Sequence, residues 1–322
     1  MVDALVVSVL RGEERAVARA CRLIDDRAPA LRPLIDALYA HTGKARVIGI
    51  TGSPGSGKST LVSALVAQYR AQAKRVAVLA VDPSSTFTGG AILGDRVRMQ
   101  RHFEDASVFI RSLATRGAQG GLSRSVQEHV VVLDAAGYDV ILLETVGVGQ
   151  DELDVSDVAE STIVVVAPGM GDDIQAVKSG ILEIADVFVV NKADREGAER
   201  AALELEQRLE LERIVGTAAS RAWPVPVLKC VALDERGLPE LVSALARHRA
   251  WLDTNAGTER RLARRRQGAE RLLFALVCER LAQASALELK QLAERVAERE
   301  LSPHAAASEL LQSFHERPLS ES

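Results

Sequence analysis

The chain has 322 residues and a formal net charge of −4, from 40 Lys plus Arg against 44 Asp plus Glu, so bulk electrostatics give no drive toward nucleic acid. A hydrophobic share of 47% excludes a disordered chain, and 3% aromatics leave the packing to Leu, Val, Ile and Ala. The length allows one large domain with extensions, or two domains.

Residues 1–43 read as a helical extension. Leu5, Val6, Val9 and Leu10 begin an apolar stripe that Val17, Ala20, Cys21 and Ile24 continue past Gly12. Pro29 and Pro33 punctuate the segment before a second short helix that runs to Gly43. From 44 to 255 the period changes. Short apolar runs at Val47–Ile50, Val76–Val81, Val108–Ile110, Val140–Leu143, Ile163–Val166, Val187–Val190 and Val225–Val231 are separated by helix-length intervals. Runs of this kind predict a mostly parallel, doubly wound α/β sheet covered on both faces. Residues 256–322 read as a helical arm. Arg260, Arg261, Arg264, Arg265 and Arg266 predict a solvated basic helix face, and Leu-rich stripes follow at 272–281 and 287–296 before Ser302-Pro303 breaks the pattern. The stripes fit packing on the core or on a second subunit.

Cys21, Cys230 and Cys278 are far apart and the six histidines do not cluster, so neither a disulfide framework nor a zinc site is expected. There is no uninterrupted apolar stretch of membrane-spanning length, and the N-terminus lacks a basic region and a cleavage site. The expectation is a cytoplasmic protein that does not enter a membrane.

The strongest motif is Gly52-Ser-Pro-Gly-Ser-Gly57-Lys58-Ser59, a G-x-x-x-x-G-K-S run between a strand and the helix Thr60–Arg70. Glycines such as Gly55 and Gly57 let backbone N–H groups, that of Ser56 among them, turn toward phosphate oxygens, and the helix start at Thr60 adds its dipole. Lys58 supplies a charge for the β- and γ-phosphates, and the Ser59 hydroxyl suits Mg²⁺. A second motif, Asn191-Lys192-Ala193-Asp194, ends the run Val187–Val190. A carboxylate at Asp194 can accept both the N1–H and the N2 amino group of guanine, a donor pair adenine lacks. Asn191 can bond either to the base or to the phosphate loop, and the Lys192 stem can lie over the purine ring. Lys229-Cys230-Val231-Ala232 ends the last strand where a further base-binding loop belongs, with Cys230 also readable as a core thiol.

A third set concerns metal and switching. Glu144-Thr-Val-Gly147 ends Val140–Leu143, where a P-loop GTPase places a carboxylate on Mg²⁺ and a glycine by the γ-phosphate. Asp82 ends another strand, within reach of the metal or the attacking water. Asp95, Arg96 and Arg98 follow in a Gly-rich segment and are equally readable as surface charges. Gln150 stands three residues after Gly147, not directly after it as a water-positioning glutamine does. Pro168 to Lys178 reads as a further nucleotide-sensitive switch or as a plain strand-to-helix connection.

With these residues the sequence resembles the G-protein chaperones of adenosylcobalamin-dependent acyl-CoA mutases, the MeaB and methylmalonic aciduria type A family. Some members carry an older label as arginine/ornithine (LAO/AO) transport ATPases. The matching stretches are 52–60, 80–85, 89–99, 137–152, 168–181 and 191–194, of which ILGDRVRM, ETVGVGQ and GDDIQAVKSGI are the more specific. The resemblance implies a Mg²⁺-dependent GTPase metallochaperone that gates adenosylcobalamin loading onto a mutase of the methylmalonyl-CoA type and protects it. It implies a nucleotide–metal site of Lys58, Ser59, Asp82, Asp95 and Glu144. It also implies a switch loop from Asp172 to Lys178 with Lys178 in the catalytic machinery, and a homodimer through residues 256–322. A transport-system NTPase is disfavoured by Asn191–Asp194 and by the lack of LSGGQ. A GTP-dependent scaffold without a mutase partner stays open.

Overall fold

The computed structural model describes residues 2–82, 102, 104–114, 121–145, 151–169, 179–215 and 223–316. The chain divides into two units, Met1–Gly268 and Ala269–Ser322. The first opens with α1 (Val2–Leu10), α2 (Glu14–Asp25) and α3 (Leu31–Tyr39), followed by β1 (Arg46–Gly52), α4 (Lys58–Ala71), β2 (Val76–Asp82), β3 (Val108–Ala114), α5 (Gly121–Ala135) and β4 (Val140–Thr145). It continues with α6 (Asp151–Val158), β5 (Ser161–Val166), α7 (Ser179–Ile184), β6 (Val187–Val190), α8 (Ala198–Val215), β7 (Val227–Lys229), a single turn at Ala232–Asp234, α9 (Leu238–Leu252) and the start of α10 (Asn255–Ala284).

Every expected apolar run forms a strand, and the seven join one sheet in the order β3-β2-β4-β1-β5-β6-β7 with all pairings parallel. The expected doubly wound α/β class is the one found. The last run, expected over Val225–Val231, pairs only at Val227–Lys229, because Pro224 and Pro226 have no N–H to give a ladder. Alternate side chains feed opposite faces. Ile48, Ile50, Val78, Leu142, Val165 and Val189 pack under α4 and α9. Val47, Leu79, Ile141 and Leu143 meet α1, α2, α3, α5 and α6, while Val164, Val166, Phe188 and Val190 meet α7 and α8. The N-terminal helices therefore share the core of the sheet. Asp134 of α5 fixes the entry into β1 by accepting the N–H groups of Lys44 (3.1 Å) and Ala45 (2.9 Å).

Register brings the motif-bearing ends to one edge. Ile50 and Ala80 flank Glu144, Gly52 lies beside Val165, and Val166 pairs Val190, which pairs Lys229. This is the carboxyl edge of a parallel sheet, where open α/β folds bind ligands.

The basic cluster departs from expectation. Arg260 and Arg264 are not part of a solvated face: each places a guanidinium nitrogen 2.8 Å from Asp186, whose carboxylate is fully buried just before β6. Arg265 meets Glu160 at 3.0 Å and Arg261 meets Asp253 at 3.1 Å. A charge run cannot reveal a buried carboxylate about 75 residues upstream. The second unit holds the rest of α10 with α11 (Ala286–Ala297) and α12 (Pro303–Glu316). Leu292 and Ala306 are buried within it, whereas Leu273, Phe274, Val277 and Leu287 are exposed. Among the described residues no helix is long and apolar enough to cross a membrane.

Candidate nucleotide site

The phosphate loop begins where β1 ends. Gly52 has φ 133°, and a Cβ there would lie 2.0 Å from the Val165 carbonyl oxygen, so no other residue passes between the strands at this point. Gly57, at φ 92°, starts α4, whose first residue is Lys58. Lys58 is buried, and its ammonium donates to the carbonyls of Gly52 (2.6 Å) and Ser53 (3.0 Å). The next residue, Ser59, donates its hydroxyl to Glu144 Oε1 at 2.6 Å, and both side chains are buried. The neighbouring Thr145 hydroxyl donates to Thr51 Oγ1 at 3.0 Å, locking the end of β4 to β1. The structure thus brings Lys58, Ser59 and Glu144 together from two strand ends. An all-oxygen pair matches the preference of Mg²⁺ for hard donors, so these residues fit the metal.

The base side is built on β6. Asn191 is almost fully buried and spans two segments. Its amide nitrogen donates to the Ser56 carbonyl (2.9 Å), and its Oδ1 accepts the Ala232 N–H (3.1 Å). The contact with the phosphate loop is one of the two roles open to it in sequence. Lys192 adopts φ 56° and its ammonium donates to the Gly55 carbonyl at 2.7 Å, so its stem crosses from β6 to the phosphate loop. Cys230 is a core thiol: burial pushes its pKa up to about 12, and its Sγ lies 3.4 Å from the Gly237 carbonyl, to which it donates. The turn after it is closed by two backbone bonds between Val231 and Arg236, of 3.0 and 3.2 Å.

Between these segments lies a cavity of about 280 Å³. Gly57, Thr60, Asn191, Lys192, Asp194, Val231 and Ala232 line it, as do Arg195, Leu233 and Asp234, which the sequence did not single out. Their signal was simple adjacency: each stands one or two positions beyond a residue already chosen. Asp82 ends β2 in register with Ala114, but its side chain is outside the described residues. Asp95, Gly147, Gln150, Asp172 and Lys178 also lie outside them.

Comparison with known proteins agrees with this geometry. The family model described as methylmalonyl-CoA mutase-associated GTPase MeaB matches residues 17–289. The GTPase ArgK of Escherichia coli is 37% identical over 239 residues, covering 73% of this chain and 72% of its own. The mitochondrial methylmalonic aciduria type A homolog of Caenorhabditis elegans is 35% identical over 281 residues, covering 83% and 69%. A crystal structure titled as an LAO/AO transport system kinase superimposes with TM-score 0.71 at 28% identity, covering 98% of this chain and 97% of that one.

Proposed function

We build on a family identity, since this chain belongs to the MeaB family of methylmalonyl-CoA mutase-associated GTPases, and propose that it is a Mg²⁺-dependent GTP switch that gates adenosylcobalamin loading onto an acyl-CoA mutase. The observation that carries the guanine-nucleotide reading is the Asn191 clamp. One side chain holds the Ser56 carbonyl and the Ala232 N–H, which supports reading the phosphate loop and the cavity as one site. Asp194 lines that cavity and is suited to accept the guanine N1–H and N2 amino group.

In this reading Lys58 leaves its loop carbonyls for the β- and γ-phosphates, where its charge counters the charge that develops on the transferred phosphoryl group. Ser59 and Glu144, with Asp82 and Asp95, would hold Mg²⁺, which would neutralise part of the phosphate charge. The backbone N–H groups of Ser56, Gly57 and Thr60 orient the phosphates at the start of α4. Lys178 and the loop from Asp172 couple hydrolysis to the mutase. Water attack on the γ-phosphate yields GDP and phosphate. The exposed Leu273, Phe274 and Val277 on the second unit support pairing with a second copy.

The test is phosphate release from GTP and ATP, with Mg²⁺, with and without the adenosylcobalamin-dependent mutase of the same source. GTP-selective release that rises on adding the mutase is the expected result. Release unaffected by any such mutase removes the partner, and ATP preference removes the base reading.

A further inference from the structure

The contact of Ser59 with Glu144 joins two strand ends, and the ladder between those strands stops there. β1 and β4 pair from Arg46 with Val140 to Ile50 with Glu144. One residue further they part: Thr51 pairs Val164 of β5, and Thr145 pairs Val81 of β2. At this seam the Thr145 hydroxyl donates to Thr51 Oγ1 at 3.0 Å, and both residues are fully buried. A side-chain bond stands where the next backbone rung would be.

Packing does not call for these hydroxyls. Side chains alternate along a strand, so Thr51 and Thr145 fall on the face of Val47, Ile141 and Leu143, opposite to Ile50 and Leu142 under α4. Their neighbours along the strands on that face are apolar, and valine has the shape of threonine without the cost of burying a hydroxyl. What the pair adds is direction: a hydrogen bond holds a distance and an angle, whereas apolar contact is non-directional. Each threonine also adjoins a residue of the metal side. Thr145 follows Glu144 directly, and Thr51 precedes Gly52, where the phosphate loop that leads to Ser59 begins. Lying on the other face of the sheet, the two hydroxyls act on Glu144 and Ser59 through the backbone.

We propose that Thr145 and Thr51 are positioning residues of the metal site: their bond fixes the end of β4 against the start of the phosphate loop, so that Glu144 and Ser59 stand at a set distance for Mg²⁺. This rests on the metal reading of Ser59 and Glu144 above and deepens it. Ser59 and Glu144 supply the oxygens, and the threonine pair sets how far apart they are held.

The test is calorimetric titration of the full chain with GDP, at saturating Mg²⁺ and in EDTA, beside urea midpoints. Wild type should bind GDP more tightly with Mg²⁺. Thr145→Val should lose most of that gain, about tenfold, while its Kd in EDTA stays within about twofold of wild type. Its urea midpoint should fall, because Thr51 keeps a buried hydroxyl without its donor. The double variant Thr51→Val/Thr145→Val leaves neither hydroxyl, so it should regain most of the midpoint and none of the Mg²⁺ gain. Thr145→Ser keeps the donor and should regain both. A Mg²⁺ gain within about twofold of wild type in Thr145→Val overturns the proposal, as does a gain that recovers with the midpoint in the double variant. Wild-type GDP affinity that is the same with Mg²⁺ and in EDTA overturns the metal reading of Ser59 and Glu144 itself, an outcome distinct from either.

Discussion

The two edges of the sheet each bury a carboxylate, and they treat it in opposite ways. At the amino edge Asp186 is fully buried and receives Arg260 and Arg264 at 2.8 Å each and the Thr162 N–H at 3.0 Å, with His248 Nε2 3.5 Å away. Burial opposes its ionisation, but Arg264, His248 and Arg260 outweigh that and hold its pKa below the usual aspartate range. At the carboxyl edge Glu144 meets a neutral hydroxyl, that of Ser59, at 2.6 Å. The first arrangement spends the charge within the fold and fastens α10 to β6. The second holds Glu144 on the hydroxyl of Ser59, whose neighbour Lys58 donates its ammonium to the Gly52 and Ser53 carbonyls.

That contrast makes mutations at the two edges separable. The largest loss of stability is expected for Asp186→Ala, which strands two guanidinium groups and should cost about 3–5 kcal/mol, read as a lower denaturant midpoint. A loss below about 1 kcal/mol would mean that the network is not a fastening point. Glu144→Gln keeps an acceptor for Ser59, so the midpoint should move by less than about 1 kcal/mol. GTP turnover should nevertheless fall on the order of 100-fold, since a carboxamide is a poor partner for Mg²⁺. Turnover retained within a few-fold would erase the distinction between the edges. Asn191→Ala removes a clamp from both halves of the nucleotide site and leaves the Ala232 N–H without its acceptor. It should lose about 1–3 kcal/mol of stability and weaken GDP binding, whereas an unchanged GDP Kd would detach the clamp from function.

A further effect concerns acid. His248 and His129 have pKa values lowered from 6.5 to about 4, chiefly by burial. Asp186 in the one case, and the Ser125 carbonyl with Asp25 in the other, only partly offset it. The unfolded chain therefore binds protons that the folded chain refuses between about pH 6.5 and 4. Stability should be highest above pH 6.5 and fall through that window, by on the order of 1–3 kcal/mol for each group. The loss from Asp186, whose folded pKa lies lower, comes only below the usual aspartate value. Urea midpoints that stay level from pH 7 to 4.5 would contradict this.

Much of the architecture was legible because its signals are local. Strands β1, β4, β5 and β6 are short, largely Val/Ile/Leu runs buried on both faces, and each motif lies at a strand end, so Gly52–Ser59 and Asn191–Asp194 mark both halves of the candidate site in the sequence. What escaped depends on distant partners. Arg260 and Arg264 look like surface charges until Asp186 is beside them. The tie of Asn191 to the phosphate loop and to Ala232 is likewise visible only in the distances.

The most direct test of the central claim, that the cavity at Asp194 reads guanine, is phosphate release from GTP and XTP by wild type and by Asp194→Asn. Xanthine carries a carbonyl where guanine carries the 2-amino group, so a carboxamide should suit it and a carboxylate should not. The account predicts that wild type prefers GTP, and that Asp194→Asn reverses the preference with a combined change of at least about 100-fold. A variant that still prefers GTP as wild type does would contradict it.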